Sequence, residues 1–135
     1  MAISGRVRAL TKRPRFLEVQ ARNALEEVKE FMDDRLERAY DVMTTYPDPK
    51  PGSRYVRTND YKSHWKVTPA HETQDGLIGT LHNNLRYAVY VGGDETGQGQ
   101  QEQHDETGWP LLSQAIDRPT YRRGLQSVVR KALGE

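Results

Sequence analysis

"WKVTPAHETQDGLIGTLH", Trp65 to His82, alternates apolar and polar residues on both sides of an Asp75-Gly76 pair. Trp65 and Val67 share one face, with Lys66 and Thr68 on the other; Leu77, Gly79 and Leu81 share a face opposed by Ile78, Thr80 and His82. A period of two marks extended strands, whose successive side chains point to opposite faces. Asp-Gly is a strong hairpin signal, because glycine takes positive φ without a Cβ penalty. The stretch predicts an antiparallel hairpin, and with it a fold that contains sheet.

The flanks follow a different period. From Phe16 to about Thr45, Leu17, Ala21, Ala24, Leu25, Val28, Phe31, Met32, Leu36, Ala39, Tyr40 and Met43 recur in steps of three and four. Glu26, Glu27, Lys29, Glu30, Asp33 and Asp34 lie mostly off that stripe, which predicts a long amphipathic helix. Asp34 and Arg38 stand four apart in the favourable orientation. Pro47 forces Tyr46 out of helical dihedrals and ends the helix. Towards the C-terminus, Pro110 falls in the first turn of a helix bearing Leu111, Leu112, Ala115 and Ile116. Pro119 breaks or kinks it, and Tyr121, Leu125, Val128, Val129, Ala132 and Leu133 form a second stripe. "NNLRYAVYVGG" (83–93) fits strand and helix spacing alike. The fold class is α+β: a long N-terminal amphipathic helix, a Pro-rich extended loop, a small antiparallel sheet with a hairpin, and a C-terminal helix.

Three segments carry no regular pattern. Residues 1–15 hold Arg6, Arg8, Lys12, Arg13 and Arg15 with no acid, and read as a solvated basic N-terminal arm. Residues 46–62 begin with prolines at every second position and continue through Gly52-Ser53 into Arg54 and Arg57, an extended Pro/Arg loop. Residues 94–107 have no apolar side chain and are rich in Gly and Gln, a mobile loop.

At 135 residues the chain suits a single domain spanning 1–135. A 35% hydrophobic content leaves a thin core, which favours help from neighbouring subunits. The net charge of +1 argues against generic polyanion binding. Without cysteine there is no disulfide or thiolate chemistry. No apolar run resembles a signal peptide or approaches the roughly 18–20 residues of a membrane span, so an intracellular product with no membrane partner is expected. His64, His71, His82 and His104 are not paired at helical ligand spacing. "GGDETGQGQ" lacks the Lys-Ser/Thr of a phosphate loop, and no serine sits in a nucleophile elbow. No catalytic residue, metal site or cofactor is predicted, and the chain is not expected to be an enzyme.

Four segments in order do carry a resemblance. Pro51, Gly52, Ser53, Arg54, Tyr55, Arg57 and Thr58 come first, then Ser63 and Trp65. Asn83, Tyr87, Ala88, Tyr90 and Val91 follow, and His104, Thr107, Gly108 and Trp109 close the series. This order resembles the tail-component (head–tail joining, or tail-completion) proteins of long-tailed bacteriophages. Their pattern is "P-G-S-R-Y-x-R-T", "S-W", "N-x-x-x-Y-A-x-Y-V" and "H-x-x-T-G-W". Here His64 separates the serine from the tryptophan, and Tyr61 stands where the family commonly has leucine.

The resemblance implies a virion structural protein, a ring-forming subunit, usually sixfold, of the neck or tail. It would be assembled in the host bacterial cytoplasm, against head-stopper or connector and tail-terminator or tail-tube proteins. Genome DNA would pass through the lumen without specific binding. It also favours a helical turn at Tyr87–Val91. The interface residues it suggests are Pro51, Arg54, Tyr55, Arg57, Trp65, Tyr87, Tyr90 and Trp109. A tail terminator capping the tube is the alternative within the class. A small nucleic-acid-binding module using Arg6–Arg15 and "SRYVR" is the alternative outside it.

Overall fold

The computed structural model describes residues 2–9, 18–49, 51–52, 60–74, 76–132 and 134, with the side chains of 18–23 also set aside. The hairpin forms as its alternation dictates. Strands β2 (Trp65–Thr73) and β3 (Gly76–Asn83) pair antiparallel, from Trp65 opposite Asn83 to Thr73 opposite Gly76. Gly76 takes φ +125°, and the Thr73 hydroxyl donates to its carbonyl at 2.9 Å.

A third strand completes the sheet. Ile3–Ala9 is strand β1, antiparallel to β3 from Ile3 opposite Asn83 to Ala9 opposite Leu77, giving the order β1-β3-β2. This corrects the reading of residues 1–15 as a solvated basic arm over its first half. Ile3, Gly5, Val7 and Ala9 are buried and alternate with the exposed Arg6 and Arg8, so the strand buries its apolar set and keeps its charges in water. Lys12, Arg13 and Arg15 lie outside the described residues.

Helix α1 (Glu18–Thr44) lies across the inner face of the sheet. Val28, Met32, Leu36, Ala39 and Met43 form its buried stripe and meet Leu77 and Leu81 of β3 and Val7 of β1 in one core. Fully burying a side chain of the size of Met32 or Leu36 stabilises by about 1.5–3 kcal/mol, so this stripe is what holds helix to sheet. At the C-terminal end of α1, the Thr44 and Thr45 hydroxyls donate back to the carbonyls of Tyr40 (2.8 Å) and Asp41 (2.6 Å). Between Thr68 and His71 strand β2 bulges around Pro69, and the freed Ala70 N–H donates to Asp33 of α1 at 2.7 Å.

Five short or medium helices follow the chain: α2 (Asp60–Ser63), α3 (Ala88–Gly92), α4 (Glu102–Thr107), α5 (Leu112–Ile116) and α6 (Arg118–Ala132). The architecture is α+β. Residues 46–62, read as an extended loop throughout, end in helix α2, whose Tyr61 is buried in the core. Residues 94–107, read as a mobile loop, include α4 and a turn in which Asp94 Oδ1 accepts from Thr96 and Gln98. The break expected at Pro119 falls at Asp117. That residue is left-handed (φ 50°), ends α5, and accepts the Thr120 N–H into α6. Pro119 then sits in the first turn of α6, where its missing N–H costs nothing. Among the described residues no helix is long and apolar enough to cross a membrane.

Candidate functional site

Three of the four segments singled out in the sequence meet in one place; of the first, only Pro51 and Gly52 are among the described residues. Tyr61 of α2 stands at the centre, with Trp65 edge-on at 5.6 Å between ring centroids and Trp109 edge-on at 5.7 Å. Tyr46 packs on Trp109 at 4.7 Å, and His104 meets Trp109 edge-on at 6.0 Å. Edge-to-face pairs set the positive rim of one ring against the negative face of the next and contribute about 0.5–1.5 kcal/mol beyond burial. Trp65 reaches the cluster because it opens β2 on the inward face. Trp109 reaches it because Gly108, left-handed at φ 91°, ends α4 and turns the chain inward.

Main-chain hydrogen bonds tie the same segments together. Asn83, fully buried at the end of β3, donates through Nδ2 to the Tyr61 carbonyl (2.8 Å) and accepts the Leu85 N–H on Oδ1 (3.0 Å). Gln100 Nε2 donates to the carbonyls of Val91 (2.8 Å) and Trp109 (2.9 Å), joining α3 to the start of α5. The Lys62 N–H donates to the Tyr46 hydroxyl at 2.9 Å. Burial holds the Tyr61 hydroxyl well above its ordinary pKa, so it stays protonated at neutral pH. Burial also pushes His104 below the usual histidine value, against a hydrogen bond to the Tyr90 main chain.

This geometry sorts the predicted interface residues. Trp65 and Trp109 are 3% and 8% exposed, so neither ring is presented to a neighbour; their interface assignment is corrected to a core role. The resemblance had suggested both as interface residues; the inward register of Trp65 and the turn at Gly108 place them in the core. Tyr87 and Tyr90 are 39% and 48% exposed around helix α3, where a partner can reach them. Pro51 is exposed in a turn with Gly52. Arg54, Tyr55 and Arg57 lie outside the described residues. Tyr61, Asn83 and Gln100 belong to the cluster although no interface or site role had been read for them. A tyrosine four residues before a strand-opening tryptophan was the available signal for the first; Asn83 stood in the resembling "N-x-x-x-Y-A-x-Y-V" segment without a role, and Gln100 left no pattern. Among the described residues, no group of three or more His, Asp or Glu is placed to hold a metal ion.

A second surface comes from the register of the sheet. On the face turned away from α1, the cross-strand rows are Ser4–His82–Lys66, Arg6–Thr80–Thr68 and Arg8–Ile78–His71. Arg6, Arg8, Lys66, Thr68 and His71 are exposed, and these nine positions include no carboxylate. Glu72, opposite the inward Leu77, points to the other side. Arg6 and Arg8 of the expected arm thus belong to a cationic sheet face. No protein-family model, curated protein or solved structure matches the chain.

Proposed function

We propose that the chain is a structural subunit of a bacteriophage neck or tail, one copy of a ring that completes the tail and joins it to the head. The observation that carries this reading is the convergence of the resembling segments. Trp65 of the "S-W" segment, Asn83 of the "N-x-x-x-Y-A-x-Y-V" segment, and His104 and Trp109 of the "H-x-x-T-G-W" segment join one buried cluster, with the Tyr90 main chain hydrogen-bonded to His104 at its border. Three unrelated coincidences spread along a sequence have no reason to fold onto one another, whereas a motif that defines a subunit type does. The exposed Tyr87 and Tyr90 border the cluster and offer aromatic anchors of the kind that dominate protein interfaces.

Disruption of the gene in the phage genome that carries it tests the reading. The expected result is a lysate of full heads and separate tails of normal length, with the protein found at the neck when intact particles are imaged. Tails of irregular length would instead identify a tail terminator. Normal, infectious particles lacking the protein would refute a structural role altogether.

A further inference from the structure

The two outer faces of the molecule carry opposite charge. On the sheet side, Arg6, Arg8 and Lys66 stand with His71 and His82 and no acid. On the helix side, Glu26, Glu30, Asp34, Glu37 and Asp41 recur in steps of three and four along the exposed face of α1, with Glu27 beside them. Among the described side chains only Lys29, 3.7 Å from Glu26, and Arg38, 3.0 Å from Asp34, pair with that stripe. Six carboxylates against these two cations leave the stripe acidic.

We infer that the basic sheet face of one copy docks on the acidic stripe of α1 of the next copy. The inference rests on the ring reading and supplies its interface. Head-to-tail assembly needs two different, complementary surfaces on each subunit, placed so that each copy meets two neighbours. A sheet face and a helix face on opposite sides of a two-layer molecule meet that requirement. A nucleic acid is the less favoured occupant. The nine sheet positions include no Phe, Tyr or Trp to serve as a stacking platform, and the near-neutral chain has little long-range attraction for a polyanion.

The size of the contact sets its strength. Three strands present a face about 15 Å wide, against a helix about 40 Å long. That is smaller than a standard stable interface, so a single contact is weak and depends on salt. Ring closure gives every copy two such contacts and raises the effective concentration of the last one.

Sedimentation of the purified full chain at about 100 µM, in salt of about 50 mM and about 500 mM, reads this directly. Wild type should self-associate at low salt and dissociate at high salt. Arg6→Glu/Arg8→Glu and Glu30→Lys/Glu37→Lys should each remain monomeric at low salt, with circular dichroism and melting unchanged. An equimolar mixture of the two variants should associate again, because each restores the charge pair the other has reversed. If the reversals fold poorly, Arg6→Gln/Arg8→Gln should still lower association several-fold.

Three results would overturn the proposal: folded charge variants that assemble as wild type does, a mixture that stays monomeric, or a wild type that never associates. Loss of binding to a DNA duplex of about 20 base pairs in the sheet variant, with every form monomeric, would reassign the face to nucleic acid. Rings that survive the charge reversals refute this interface and leave the ring reading intact. Absence of the protein from purified particles refutes the ring reading, whatever the sedimentation shows.

Discussion

Replacing Asn83 by alanine should destabilise the fold by about 3–4 kcal/mol. The side chain has no solvent exposure and bridges two main-chain groups, donating to the Tyr61 carbonyl and accepting from the Leu85 N–H. A buried polar group stripped of its partner costs about 1–3 kcal/mol, and alanine strips two at once. The small void left by the amide adds to the loss. For a chain of this size, the sum corresponds to a fall of roughly 12–16 °C in Tm. Urea unfolding followed by tryptophan fluorescence is the appropriate assay, since Trp65 and Trp109 flank the affected contact. Asn84→Ala, one residue away and exposed, is the control and should change stability by less than about 0.5 kcal/mol. Asn83→Asp adds a sign. A carboxyl buried here has its pKa raised above the unfolded value, so its stability is present at low pH and lost as pH rises and the group must ionise. A loss below about 1 kcal/mol for Asn83→Ala would refute the bridging role.

Two further predictions follow from the core. A Cβ at Gly79 would lie 2.6 Å from Cδ1 of the fully buried Leu36, so Gly79→Ala should cost about 1–3 kcal/mol; combined with Leu36→Ala, the total should fall short of the sum of the two single losses in a double-mutant cycle. Burial lowers the pKa of His104 below 6.5, so the unfolded chain binds more protons than the folded one just below that pH. The stability is present above pH 6.5 and declines as the pH falls through and below it; denaturant midpoints measured from pH 7.5 to 5 should drop for wild type and drop less for His104→Gln.

Legibility in the sequence tracked how far each element relies on apolar periodicity. Helix α1 was plain because its apolar residues repeat at helical spacing and are buried from Ala24 to Met43, and β2–β3 because its alternation is centred on Asp75-Gly76. Strand β1 carries the same period-two signal in Ile3, Gly5, Val7 and Ala9, but Gly and Ala are weak markers and the arginines between them dominate the reading. Helix α4 has no apolar residue; its one buried side chain is His104, and its end is fixed by the left-handed Gly108, so only tertiary contact reveals it. Of the residues the resemblance offered for an interface, Tyr87 and Tyr90 are exposed, whereas Trp65 and Trp109 are core. The charge rows of the sheet were invisible, because they depend on a register that joins residues 3–9 to residues 76–83.

That register also orders events in time. Strands β2 and β3 are joined by a turn of two residues, while the loop that closes β1 onto β3 runs from residue 10 to residue 76. Loop-closure entropy makes the second pairing costlier by about 3 kcal/mol, and non-local pairing is slow for the same reason. The hairpin and α1 therefore assemble first and β1 docks last, although it is synthesised before either. Until it docks, one edge of β3 is an open template beside Leu77 and Leu81, and the β1 of another chain fits it as well as its own. Topology leaves the chain open to strand exchange with another copy until β1 docks.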